Sequence, residues 1–178
     1  AWAAGRHRDL WTGLVGLSGG FKFTPQTRPS AGKVVALRLL GLCAPKLPIR
    51  QLFHPSLIVS NAATLREWEK DPLVSHGKVT VAYMVEILRA MEKLPDQIKG
   101  LPLPVLMLWG TGDKVVSEQG HDIVLAASSD SRSQFIRYPG GFHNLLAEPS
   151  LKSKVFSDIA TWIAKIAGES YRSPTGGA

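Results

Sequence analysis

The stretch "LPVLMLWGTGDKVV", residues 103–116, decides the fold. Its first half, 103–109, is a continuous apolar run and reads as a strand. Its second half, "GTGDKVV", is glycine-rich and reads as the exit loop of that strand. Toward the C-terminus, "SEQGHDIVLAAS" predicts a helix capped by Ser117, with Ile123, Val124 and Ala127 on one side. "SQFIRYP" predicts a second strand over 133–138, and "GGFHNLLAEPS" a loop. "LKSKVFSDIATWIAKI" predicts a long amphipathic helix whose stripe is Leu151, Val155, Ile159, Trp162 and Ile166. Strand, helix, strand, helix at this spacing implies an α/β fold with a parallel sheet.

Ligand sites on open parallel sheets lie beyond the carboxyl ends of the strands. Asp113 follows the first strand by four residues, and His143 follows the second by five. Neighbouring parallel strands bring such loops together, and an imidazole that acts as general base needs a carboxylate to fix its tautomer. Two plainer readings stand beside this one. Asp113, after a glycine, also suits a turn, and His143 also suits a packed loop position.

Working back toward the N-terminus, "AWAA" reads as the last turn of a helix closed by Gly5. Residues 10–17 form an apolar run without clean alternation, expected as a strand buried on both faces. "GGFKFTPQTRPSAG" is loop. The block 31–100 reads as helical, with no strand. "AGKVVALRLLGLCA" is a helix stopped by Pro45, and "SNAATLREWEKDP" is a helix capped by Ser60 or Asn61. "SHGKVTVAYMVEILRAMEKLP" is a helix with Val79, Ala82, Tyr83, Glu86, Ile87 and Ala90 on its period and Pro95 as its stop. The tail 167–178 has no apolar period and is expected to be disordered.

The chain has 178 residues, 44% of them apolar, which suits one domain. Its net charge of +7 comes from basic residues scattered along the chain. No basic arm, zinc-finger or RNA-binding signature appears, so nucleic acid is not an expected partner. The single cysteine, Cys43, excludes a disulfide framework and a cysteine-rich metal site, and its apolar neighbours mark it as a small buried side chain. No eighteen-residue apolar run spans a membrane, and no cofactor or metal is expected.

Several motifs together resemble one family. Gly110-Thr111-Gly112-Asp113 matches a G-[ST]-x-D acid loop, and Gly141-Phe142-His143 matches a G-x-H base loop. The acid precedes the histidine, which is the hydrolase order. "DPLVSHGKV" resembles the D-P-L segment of a helical cap. Over about residues 1–166 the chain resembles the C-terminal part of an α/β-hydrolase of the monoacylglycerol lipase and lysophospholipase-like group, often filed with the S33 serine aminopeptidases. Trp109 stands where many members carry His or Gln, a tolerated position.

The resemblance implies hydrolase core over 1–30 and 101–166, with an inserted helical cap over 31–100. It implies a serine hydrolase of lipid carboxylic esters, with acylglycerol favoured and lysophospholipids, other esters and peptides still open. In it His143 is the base and Asp113 its orienting acid. Val34, Val35, Leu39 and Leu40 of the first cap helix, together with Phe142, would bind substrate. The cap would touch a membrane or lipid droplet, and the location would be cytoplasmic or peripheral to a membrane.

Gly16-Leu17-Ser18-Gly19-Gly20 satisfies the G-x-S-x-G nucleophile pattern. A nucleophile elbow needs a helix directly behind its serine, and "GGFKFTPQTRP" cannot start one. The resemblance places Ser18 at the exit of the strand before the cap, where relatives read like "GLVLLSP". It places the elbow one helix earlier, with "AWAAGRHRDL" as the remainder of that helix. The nucleophile and both oxyanion donors are then expected before Ala1, and the 178 residues alone are expected to be inactive. The alternative is a non-catalytic α/β-hydrolase-like protein that binds a ligand or a partner.

Overall fold

The computed structural model describes residues 1–49, 54–74 and 78–170. In chain order the elements are α1 (Trp2–Arg6), β1 (Leu14–Leu17), α2 (Ala31–Cys43), β2 (Pro48–Ile49), α3 (Ala62–Lys70), β3 (Val79–Thr80), α4 (Val81–Ile98), β4 (Val105–Gly110), α5 (Glu118–Ala127), β5 (Gln134–Tyr138) and α6 (Lys152–Ser170). Strands β1, β4 and β5 form a parallel sheet with β4 in the middle, Leu14 level with Val105 and Leu106 level with Gln134. This is the α/β-hydrolase-like arrangement, a parallel sheet with helices on both faces.

All six residues of β4 are buried, because its alternate side chains enter two different cores. Val105 and Met107 pack with Ala4, Leu94, Ile98 and Val124 of α1, α4 and α5. Leu106 and Leu108 pack with Val155, Trp162 and Ile166 of α6 on the other face. The stripe expected on α6 therefore covers one side of the sheet. That helix also continues to Ser170, so the first four residues expected as tail are helical. The remainder of the expected tail, 171–178, lies outside the described residues.

Five other expectations need correction. The strand expected over 10–17 begins only at Leu14. Residues Arg8–Leu10 form a 3-10 turn, and Leu10 and Trp11 are exposed. The block 31–100 is not wholly helical, because β2 and β3 form a two-residue antiparallel ladder. The ladder lies where the chain leaving α2 covers the start of α4. The N–H groups of Val81 and Ala82 donate to the carbonyls of Leu47 and Pro45, and Tyr83 N–H donates to the Thr80 hydroxyl, so the free donors of the first turn find partners.

Pro95 does not stop α4, which runs one turn further. Leu94 and Ile98 are buried in the core, and that packing outweighs the hydrogen bond proline forfeits. The buried stripe of the first turns of α4 is Val81, Met84, Val85 and Leu88, on the face opposite the expected one, and Tyr83 and Glu86 face solvent. Cys43 is exposed rather than buried, at the C-terminal end of α2.

α2 and α4 pack together, Gly41 lying against Val85, and the Arg38–Glu92 ion pair at 2.6 Å closes one side. α2 buries no residue completely. Of the two cap candidates for α3, Asn61 takes the role. Its Oδ1 accepts from Ala63 and Thr64 N–H at 2.9 and 3.1 Å, which leaves Ser60 for another partner.

Candidate active site

The loops leaving β4 and β5 are joined by a set of backbone bonds. Thr111 N–H donates to Tyr138 O at 3.0 Å, Gly112 N–H to Gly141 O at 2.9 Å, and Asp113 N–H to Gly110 O at 3.0 Å. Gly140, at a φ of 72° that glycine adopts without strain, donates its N–H to Thr111 Oγ1 at 2.9 Å. These bonds hold the first residues of the two loops side by side.

The side chain of Asp113 is fully buried, and its oxygens divide their work. Oδ1 accepts the N–H groups of Val115 and Val116 at 2.8 and 3.0 Å, an Asx turn that holds the carboxylate in one orientation. Oδ2 lies 2.9 Å from His143 Nδ1. A carboxylate facing Nδ1 makes that nitrogen the N–H, and Nε2 is then left with a free lone pair. His143 is 27% exposed, so its ring is within reach of a substrate while its partner is not. A solvent-reachable imidazole with a fixed tautomer and a buried carboxylate behind it can accept and return a proton.

The turn reading of Asp113 also holds: the same carboxylate makes the turn and meets the histidine. Phe142 is half-buried beside His143, with the Lys114 ammonium 5.7 Å from its ring centre. Val34, Val35, Leu39 and Leu40 lie on α2, and none of the four belongs to a buried cluster of the core.

Ser18 directly follows β1, with its N–H on Leu108 O at 2.8 Å. It is the one described non-glycine residue with positive φ, at 40°. Its hydroxyl is buried and has no hydrogen-bond partner. Turns and loop follow it, and the next helix begins only at Ala31.

Sequence reasoning missed His121. Its ring is fully buried, with the Gly19 N–H donating to Nε2 at 3.0 Å and Nδ1 lying 3.2 Å from Ser117 O. It stacks on Phe135 and meets Phe21 edge-on. Burial pushes its pKa below the ordinary histidine value, so the ring is neutral with its proton on Nδ1. No local pattern marks such a residue, because its neighbours come from the loop after β1. Ser117 holds the cap position of α5 as expected, but its hydroxyl makes no capping bond.

A family model described as "Serine aminopeptidase, S33" matches residues 1–150. The chain belongs to that family. Among curated relatives, the monoglyceride lipase of Rattus norvegicus is 25% identical over 163 residues, 91% of this chain and 53% of that protein. The monoglyceride lipase of Homo sapiens is 24% identical over 134 residues, 75% of this chain and 44% of that protein. The chain thus spans about half the length of the curated relatives it matches. Among solved structures, the monoacylglycerol lipase of Paleococcus ferrophilus superposes with a TM-score of 0.82 at 21% identity, covering 92% of this chain and 62% of that one. A soluble variant of the Saccharomyces cerevisiae monoglyceride lipase gives 0.80 at 18% identity, covering 93% and 60%. At these identities the superpositions speak for the fold.

Proposed function

We propose that the chain carries the base and the acid of a serine hydrolase that cleaves carboxylic esters of lipids, with monoacylglycerol the favoured substrate. His143 Nε2 takes the proton of a nucleophilic serine as the serine oxygen bonds to the ester carbonyl carbon. The imidazolium then gives that proton to the departing alcohol as the carbon–oxygen bond breaks, leaving an acyl-serine. Water, deprotonated by the same nitrogen, then bonds to the acyl carbon; the imidazolium returns the proton to the serine oxygen as that carbon–oxygen bond breaks, and the fatty acid is released. Asp113 keeps the ring in its tautomer and stabilises the imidazolium. The observation that carries this reading is the 2.9 Å contact between His143 Nδ1 and the buried Asp113 carboxylate beyond two adjacent parallel strands.

In this reading the serine belongs to residues preceding Ala1, and the 178 residues are inactive alone. Among the described residues β1 pairs with β4 only, and a groove lined by Thr12, Gly13, Val15, Trp162 and Ile166 runs between β1 and α6. Ser18 has the positive φ of a strained elbow, but its hydroxyl is sealed from solvent and no helix follows it. The lipid substrate is supported by the likeness to monoglyceride lipases and by the apolar side chains that α2 exposes. Val34, Val35, Leu39, Leu40 and Phe142 would line the way in. The same cap face would rest on a membrane or lipid droplet, in keeping with a protein that acts in the cytoplasm or at a membrane surface. No described helix is long and apolar enough to cross a membrane.

A fluorophosphonate probe tests the proposal on the protein encoded by the complete gene. Labelling of a serine before Ala1, lost on chemical denaturation and slowed at least ~100-fold in His143→Ala, supports it, since general-base catalysis typically contributes 10²–10⁴-fold. Labelling abolished by Ser18→Ala would move the nucleophile to Ser18. No labelling, with retained binding of a lipid ester, would favour the non-catalytic binding protein.

A further inference from the structure

Among the described residues Glu148 is the one buried carboxylate apart from Asp113, and the proposed chemistry leaves it without a task. It is 4% exposed, and both of its oxygens are taken by one residue from the cap insertion. Oε1 accepts the Ser60 N–H at 2.8 Å, and Oε2 accepts the Ser60 hydroxyl at 2.5 Å. Two residues earlier, the Ile58 carbonyl accepts the Asn144 N–H at 2.9 Å. Asn144 directly follows His143. Segment 58–60 is therefore tied at two points to the stretch 144–148 that carries the histidine loop into α6.

The same segment also reaches the acid loop. Leu57 packs on the cluster of Trp109, Val115 and Val116, and Val115 and Val116 donate their N–H groups to Asp113 Oδ1. Trp109 Nε1–H in turn donates to Val116 O at 3.2 Å. One strap, 57–60, thus touches the Asp113 loop with its apolar end and the His143 loop with its polar end. A carboxylate is suited to the polar end because it accepts two bonds from a single serine without needing a donor of its own. Buried polar oxygens are costly to leave without those partners, so the strap has one favourable position.

We infer that Glu148 is a positioning residue: by holding Ser60 it clamps the cap-borne strap 57–60 across the two loops, and so keeps His143 at hydrogen-bond distance from Asp113. The inference rests on the reading of His143 as the base. It makes the geometry of the base depend on the cap, since the strap belongs to the insertion between β1 and β4. A shift of the cap that draws Ser60 from Glu148 frees Asn144 as well, and the imidazole leaves its carboxylate.

The test uses the protein from the complete gene, labelled with ¹⁵N-histidine, and reads the His143 ring by NMR beside turnover of a short-chain nitrophenyl ester. Wild type should show a protected Nδ1–H. Glu148→Ala should broaden or erase that signal and lower kcat on the order of tenfold to a hundredfold with little change in KM, the cost of a small misplacement. Glu148→Gln should restore most of both, since its Oε1 still accepts the Ser60 N–H and its amide can donate to the Ser60 oxygen. Ile98→Val, a core change in the cluster on the other face of the sheet, should lower the melting temperature without touching the Nδ1–H signal. Should Glu148→Ala fail to fold, Ser60→Ala removes one bond only and should give the same loss in milder form.

A Glu148→Ala or Ser60→Ala protein with an unchanged Nδ1–H signal would overturn the inference. So would an Ile98→Val protein that loses the signal equally, since Glu148 would then be merely structural. A wild type without the protected Nδ1–H would instead overturn the pairing of His143 with Asp113 on which it rests.

Discussion

Gly110 and Gly141 meet backbone against backbone where the acid and base loops cross. A Cβ on Gly110 would overlap the Gly141 carbonyl and stand 2.9 Å from that of Phe142. The obstacle is main chain on both counts, so no side chain can swing away. Gly110→Ala should force the loops apart, lower stability by about 1–3 kcal/mol as overpacking does, and weaken the Asp113–His143 hydrogen bond. Denaturant melts together with the His143 ring spectrum would check this. An alanine variant as stable as wild type, with the same spectrum, would refute the close approach.

Asp113→Asn separates the two jobs of the carboxylate. An asparagine keeps an oxygen for the N–H groups of Val115 and Val116, so stability should fall less than in Asp113→Ala. Its amide N–H₂ then faces His143 Nδ1, which must become the acceptor, and the ring proton moves to Nε2. In serine proteases this change of tautomer costs roughly 10⁴ in kcat, and a loss of several orders of magnitude is expected here in the complete enzyme. Ring ¹⁵N shifts report the tautomer, and ester turnover reports the cost. Turnover within tenfold of wild type would remove Asp113 from the proposed mechanism.

His121 gives the protein a pH-dependent stability of definite sign. Burial holds its pKa below the ordinary 6.5, with the Ser117 carbonyl, Asp113 and Asp122 pulling it up and His143 pushing it down. The unfolded chain therefore takes up a proton that the folded chain refuses. This contribution is intact above about 6.5 and is lost as the pH falls toward the lower value of the folded state. Protonation at Nε2 would also set two N–H groups against each other, because Gly19 already donates there. Melting temperatures at pH about 7.5 and about 5.5 should differ in wild type and differ less in His121→Gln, which has no charge to gain. Asp130 and Asp158 are held below the usual carboxylate value by their arginine, tyrosine and lysine partners, so they titrate at lower pH and do not blur the comparison. Equal pH slopes in both proteins would contradict the assignment.

The parts legible in the sequence are those set by period and by adjacency. β4, α5, β5 and α6 follow from apolar runs and stripes, and the meeting of Asp113 with His143 follows from loops that leave neighbouring parallel strands. What escaped depends on partners far along the chain. β2 and β3 are too short to carry a pattern, and they exist because the start of α4 needs acceptors. Pro95 reads as a stop only until Ile98 is seen to be buried. The Ser60–Glu148 pair spans 88 residues, and His121 is buried by a loop 102 residues away. No local signal in the sequence marks either pair.

The exposed apolar face of α2 should bind lipid. Val35, Leu39 and Leu42 are spaced four and three residues apart, so they lie on one side of the helix, and Leu42 is 84% exposed. Lys33 and Lys46 are exposed near the ends of the same helix, and the chain as a whole carries +7, which favours an anionic surface. Burying two leucines in a bilayer interface is worth about 3 kcal/mol, roughly a hundredfold in partitioning. The double variant Leu39→Glu, Leu42→Glu should lose about that much binding to vesicles containing phosphatidylserine. Its melting temperature should stay close to wild type, because neither leucine is packed in the core and the Arg38–Glu92 pair is untouched. Co-sedimentation over a range of lipid concentrations reads the affinity, and raised salt separates the charge from the apolar contribution. If the double variant binds vesicles as wild type does, α2 does not face the lipid, and Val35, Leu39 and Leu40 are then left with a role in the substrate path alone.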